Sequence, residues 1–404
     1  MPGLDNATLR AWRRSRGWDV PELARQLRVA AGQAGVRVAD HDGLIRMIYA
    51  WERGDHQISE RYELLYRALG FAPDHPVRSD NPAFREAGPA GRSTVPRSRL
   101  ETLSARQLEE LTGLLDDQWH ALVRTDNLLG PRHALSGVRD QLGVIDTLLR
   151  SVRPPVRHRV LQLGAKYAES AAWLHEDSGD MNGARYWTGR SMEWALEAGD
   201  RLMMSWVLFR RGEHAVADGD AAAVAGLAAA ARREGEDLPG PMLAAIFQQE
   251  AHAHALDGDE AACHVALDQA QERAASPDDP GDASNGHGSF CTPAYVEMQR
   301  GRCWLRLGRP AKARAALDSA IRSMPPVYRR DRGVALSALA TAFAAIGEPG
   351  EAAAAAMQAL GVARDAGSER IVSMVIPVAT ALAPYRSIDA VAQLRETLAE
   401  SPRP

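Results

Sequence analysis

Five glycines, Gly179, Gly219, Gly258, Gly308 and Gly347, each follow an apolar helical run and precede an alanine-rich one, at intervals of 40, 39, 50 and 39 residues. This near-constant period constrains the fold more than any other feature. Each period is one helical hairpin that cannot bury its apolar face alone and must stack on the next. Small or modest residues recur five positions after each glycine (Ala184, Val224, Cys263, Ala313, Ala352) and again twelve after it (Ser191, Ala231, Ala270, Ala320, Ala359). Short side chains there let two helices approach closely. The stretch from Leu100 onward is too long for one simple core at roughly 150 residues per domain, so an array growing along one axis is expected. The longest interval holds an insertion, Ser276 to Phe290.

The clearest copy, Gly301, Trp304, Gly308, Ala313, Leu317, Ala320 and Pro325, resembles the tetratricopeptide repeat. The other copies match less well, and their period near 39 exceeds the usual 34. The resemblance implies that the first helix of each hairpin lines a concave groove at fixed offsets before the turn glycine. Those offsets give Lys166, Glu169 and Trp173, then Gln248 and His252, then Tyr295, Met298 and Arg302. Such mixed polar and aromatic chemistry suits a peptide or small-molecule effector. Four of the nine tryptophans, Trp173, Trp187, Trp194 and Trp206, cluster between Tyr167 and Phe209, where core packing or a self-association seam is expected, with a ligand box as the alternative.

At the other end of the chain, Leu9 and Trp12 mark a first short helix, and Asp19 with Pro21 opens a second carrying Leu23, Ala24 and Leu27. A third runs from about Asp42, where Leu44, Ile48 and Trp51 at i, i+4 and i+7 form one buried stripe. A closing helix holds Tyr62, Leu65, Tyr66 and Leu69. Glu22-Leu23-Ala24 and Trp51-Glu52-Arg53-Gly54 resemble the two regular signatures of the XRE family, the phage-repressor type of helix-turn-helix. The chain departs from that family by about a dozen extra residues between Val29 and His41.

The XRE resemblance implies double-stranded DNA as partner, read by Ile45, Arg46, Met47, Tyr49 and Ala50 on the third helix. Arg46 is the foremost base reader, because a guanidinium donates bidentately to guanine O6 and N7. Arg13, Arg14, Arg53 and Arg61 are expected on the phosphate backbone. Residues 1–100 hold 16 arginines against 12 acids, and the remainder 32 basic residues against 40 acidic. A head of this mild positive balance binds phosphates locally, with affinity that falls steeply with salt. Pro73, Pro76, Pro82, Pro89 and Pro96 mark a semi-extended linker.

The expected fold is therefore all-α: a helix-turn-helix over 1–72, a Pro/Arg-rich linker over 73–99 and a tetratricopeptide-like solenoid over 100–404. Only two lysines, Lys166 and Lys312, are present, and no phosphate-loop, His-Glu-x-x-His or Gly-x-Ser-x-Gly motif occurs. No enzyme, cofactor or metal is expected, and Cys263, Cys291 and Cys303 read as buried free thiols. With no signal peptide or membrane-length apolar run, a soluble cytoplasmic protein is expected. The arrangement resembles actinobacterial XRE regulators with tetratricopeptide-like sensor domains, which implies a homodimer whose effector shifts the spacing of two DNA-binding heads. A protein-interaction scaffold with an accessory helix-turn-helix is the alternative.

Overall fold

The computed structural model divides into two compact units, Met1–Glu86 and Ala87–Pro404. It describes residues 18–33 and 38–53 of the first, with Leu9, Arg10, Arg13, Ile58, Tyr62, Leu65, Tyr66 and Leu69. In the second it describes Leu100, 102–234, 238–274 and 290–400. The expected linker, 73–99, lies outside the described residues. Regular structure among those residues is entirely helical.

In the first unit, α1 (Val20–Gln33) and α2 (His41–Arg53) both begin at an aspartate. Asp19 Oδ1 accepts from the Glu22 N–H at 2.7 Å and Asp40 Oδ1 from the Gly43 N–H at 2.8 Å. Each satisfies a donor that the first helical turn leaves without a partner. Because α1 continues to Gln33, the first residues of the insertion after Val29 are helical. Leu44, Ile48 and Trp51 are buried against Leu9, Leu23, Ala24 and Leu27, as the stripe predicts. The Trp51 ring meets Tyr62 at 5.0 Å and Tyr66 at 6.2 Å between centroids, so these aromatics complete the core.

Among its described residues the second unit is a stack of seven helical pairs. They are α3 (Ala105–Leu129) with α4 (Pro131–Leu149), α5 (Val156–Asp177) with α6 (Met181–Ala198), and α7 (Arg201–Asp218) with α8 (Ala221–Glu234). Next come α9 (Gly240–Leu256) with α10 (Glu260–Arg273) and α11 (Pro293–Arg306) with α12 (Pro310–Ser323). The last are α13 (Arg329–Ile346) with α14 (Pro349–Ala366) and α15 (Glu369–Ala381) with α16 (Asp389–Glu400). Each first helix also touches the first helix of the next pair, which makes the stack continuous.

All five turn glycines lie between paired helices at positive φ, from 68° at Gly308 to 90° at Gly347. A side chain at those angles would be strained, which is why glycine marks the turns. Two chemistries then restart the chain. Asp180, Asp220 and Asp259 follow their glycines and accept a backbone N–H at 2.9 Å. After Gly308 and Gly347 a proline, Pro310 or Pro349, stands at the first helical turn instead, where its missing N–H costs nothing.

The small residues five and twelve positions after each glycine are all buried, none more than 1% exposed. Between α11 and α12 the approach is close at Gly301, where a Cβ would stand 2.5 Å from Cγ of the fully buried Leu317. We expect Gly301→Val to cost about 1–3 kcal/mol through overpacking. Urea unfolding of the variant checks this, and an unchanged midpoint would show that α11 and α12 can separate freely.

The stack curls until its last pairs touch its first ones: α14 contacts α3 and α15 contacts α5. At Gly130, with φ of 91°, a Cβ would approach the Ala366 carbonyl oxygen to 2.8 Å, so the α3–α4 turn fits against the end of α14 only without a side chain. This closure encloses the inner face of the curve.

Candidate functional site

Within the first unit, the helix expected to read DNA splits the expected residues into two groups. Arg46 is exposed and Tyr49 is 48% exposed, on the side of α2 away from Leu44, Ile48 and Trp51. Ile45 and Met47 are instead half-buried and packed against the core, and Ala50 is of intermediate exposure. A helix presents a narrow outward face when its flanking residues are apolar, so the polar stripe reduces to Arg46 and Tyr49.

Arg13 does not face solvent. Its Nε and Nη2 donate to the two carboxylate oxygens of Glu52 at 2.5 and 2.8 Å, and Nη1 donates to the Trp18 carbonyl at 2.8 Å. Both side chains are at least nine-tenths buried. The hydrogen bond to Glu52 raises the Arg13 pKa and outweighs the burial that opposes it. The expected phosphate contact at Arg13 is therefore replaced by a structural one, because Glu52 is buried beside the core and needs a bidentate partner. Arg14, Arg61 and the Arg53 side chain lie outside the described residues.

The second unit holds a half-open cavity of about 810 Å³, lined chiefly by first helices of the hairpins. Among the expected groove residues, Lys166, Glu169, Trp173 and Tyr295 line it. Lys166 Nζ donates to Asp116 at 2.9 Å and sits 3.8 Å from the Trp119 ring centroid. Trp173 Nε1 donates to Asp126 at 3.3 Å. Gln248, His252 and Met298 are instead buried and do not line the cavity. His252 bonds Gln299 at 2.9 Å and Cys303 at 3.4 Å across the α9–α11 contact, and burial pushes its pKa down to about 3, leaving the ring neutral. Arg302 donates to the same Gln299 at 3.0 Å. In these two hairpins most of the offset positions point at the neighbouring helix rather than at the concave side.

The α7–α8 hairpin, which precedes them, carries the same offsets into the cavity. Counting thirteen, ten and six residues back from Gly219 gives Trp206, Phe209 and Glu213, and all three line the cavity. Trp206, Phe209, Phe290 and Tyr295 form one aromatic wall, with successive centroids 4.8–6.0 Å apart. Trp187 and Trp194, by contrast, are core residues.

The chain matches no protein-family model and no curated protein.

Charge in the cavity is organised around buried guanidinium groups. Arg210 contacts Glu176 at 2.5 Å, Glu169 at 3.6 Å and Glu213, and lies 5.3 Å from the Trp173 centroid. Burial raises the Glu169 pKa against the pull of Arg210. For Glu176 burial acts the same way, but Arg210, the His214 hydrogen bond and Arg370 outweigh it and hold the carboxyl well below its ordinary range.

Where the stack closes, Arg330 contacts Asp126 at 2.7 Å and Asp177 at 2.8 Å, and Arg370 contacts Asp177 at 3.4 Å. The Arg330 Nε–H is not aligned with Asp177 Oδ2 despite the short distance, so that pair is an ion contact rather than a hydrogen bond. Ser368 Oγ completes the clasp, donating to Asp177 at 2.6 Å. A long-range signal of this kind, joining residues nearly two hundred positions apart, has no local trace in the sequence.

Proposed function

We propose that the chain is a sequence-specific DNA-binding transcriptional regulator of the XRE type, whose tetratricopeptide-like hairpin stack binds an effector and dimerises. The observation that carries the reading is the surface of α2. An exposed arginine and tyrosine stand on a thirteen-residue helix whose opposite face is anchored in a helical core. A helix so mounted is suited to enter a major groove, and a half-open cavity in the second unit supplies a place for a ligand. An effector that binds one arrangement of a dimer better than another shifts the spacing of its heads, and about 1–3 kcal/mol of coupling suffices.

The test is selection of genomic DNA fragments by the full-length protein, then gel-shift salt titrations on the enriched site. Arg46→Ala is expected to lose about 1–3 kcal/mol of base discrimination while keeping salt-sensitive binding. If wild type enriches no site, the reading fails and the stack is better regarded as a scaffold for a protein partner. Sedimentation that shows only monomer, with and without DNA, would remove the dimer.

A further inference from the structure

Around Arg210, Arg330 and Arg370 carboxylates outnumber guanidinium groups, while elsewhere on the cavity wall Arg159, Lys166 and Arg329 stand with Asp116 and Asp200. Six carboxylates share those three guanidinium groups: Asp126, Glu169, Glu213 and Asp331, which line the cavity, and Glu176 and Asp177 beside it. Five of the six are in ion contact with those arginines. Asp331 lines the cavity and, among the described residues, forms neither an ion pair nor a hydrogen bond with its carboxylate. His214, 3.2 Å from Glu176, adds at most one positive charge. The formal balance is three negative charges, or two with His214 protonated.

The excess is felt at Asp331. Burial, reinforced by Glu213 and Asp177 and opposed by Arg370 and Arg330, pushes its carboxyl up to about 6. Glu169 and Asp126 are raised by burial in the same direction. A cation brought here would relieve all three.

The aromatic surfaces are divided in a way that fits such a guest. Lys166 lies over Trp119, and Arg210 and Arg370 lie over Trp173, at 5.3 and 4.9 Å from its centroid. Over Phe290 and Tyr295 no protein cation lies among the described residues. Both rings line the same cavity as Asp331. Tyr295 is close enough to Glu213 and Asp331 that both charges, after burial, raise its hydroxyl pKa.

We propose that this cavity binds a small organic cation, whose ammonium or guanidinium group pairs with Asp331 and Glu213 and whose apolar body lies on Phe290 and Tyr295. The volume suits a drug-sized guest, which falls within the usual range for small-molecule sites. Cation and ring faces attract, and a desolvated site strengthens both contacts. This deepens the effector reading above by naming the chemistry of the effector.

The test uses full-length protein and two probes of similar shape and opposite charge, tryptamine and indole-3-propionate, followed by calorimetry and thermal shift. Tryptamine is expected to bind saturably and raise the melting temperature, indole-3-propionate to do neither, and Asp331→Asn to weaken tryptamine at least tenfold. Asp331→Asn without ligand is expected to melt no lower than wild type, since it removes excess charge, so a loss of binding is not a loss of fold. Binding of neither probe, equal binding of both, or unchanged tryptamine affinity in Asp331→Asn overturns the proposal. A blocked Lys-Trp-Lys peptide that binds more tightly than tryptamine keeps the cation chemistry and makes its source a peptide.

Gel shifts on an enriched site separate this claim from the regulator reading. Tryptamine binding with no effect on DNA affinity upholds the cation site and removes its coupling to DNA. Specific DNA binding with no tryptamine binding removes the cation site alone.

Discussion

Asp177→Ala lowers the stability of the hairpin stack by about 3–5 kcal/mol, the range for breaking a buried ion pair from one side. The carboxylate is fully buried at the end of α5 and is shared by Ser368, Arg330 and Arg370. Among the described residues, its removal leaves Arg370 without a direct ion contact and Arg330 with Asp126 alone. The loss should be local before it is global. Hydrogen exchange is expected to rise first at the starts of α13 and α15 and along the end of α5, because this clasp ties α13 and α15 to α5, which α15 otherwise touches only lightly. Asp177→Asn keeps the volume and one acceptor for Ser368, and is expected to cost less. If Asp177→Ala leaves both melting temperature and exchange unchanged, the closure is not held by this carboxylate.

Arg13→Ala unfolds the first unit at an expected cost of about 3–5 kcal/mol, a large share of what so small a helical domain can hold in total. Glu52 is then buried with Arg10 as its one remaining ion partner among the described residues, at 3.5 Å and from a half-exposed position. Exchange measured on the full chain should become rapid across α1 and α2 while the hairpin stack stays protected. DNA binding should disappear with the fold, unlike the selective loss expected for Arg46→Ala. Arg13→Lys is a poor substitute, since an ammonium cannot match both carboxylate oxygens. Native-like protection of α1 and α2 in Arg13→Ala would show that the pair is dispensable.

The two sequence signatures were unequal guides. A glycine followed by a capping aspartate, or by a proline one residue further on, is a local instruction, and every such turn from Gly179 to Gly347 occurs where it was expected. Two pairs at the ends of the stack escaped notice for equally local reasons. Gly130 precedes Pro131 and a helix without an alanine run. The α15–α16 connection passes through a short 3₁₀ segment, Ala383–Tyr385, with no glycine at all.

The cavity was half legible. Offsets that work on α5 also work on α7, whereas on α9 and α11 all but Tyr295 face away from the cavity. Arg330, Asp331 and Arg370 were beyond reach, because they face the cavity only once the sixth and seventh pairs return to the first. In the first unit the apolar stripe of α2 was readable from spacing, but the partner of Glu52 was not, since nothing local separates a buried arginine from a phosphate-binding one.

An open array of repeats unfolds from its ends, because each terminal unit has only one neighbour to lose. Here the sixth pair touches the first and the seventh touches the second. With Asp177 clasped by Arg330 and Arg370, and Gly130 seated against Ala366, fraying that reaches α3 or the start of α15 must break contacts at the opposite end. Melting of this unit should therefore be a single concerted transition rather than a gradual unravelling.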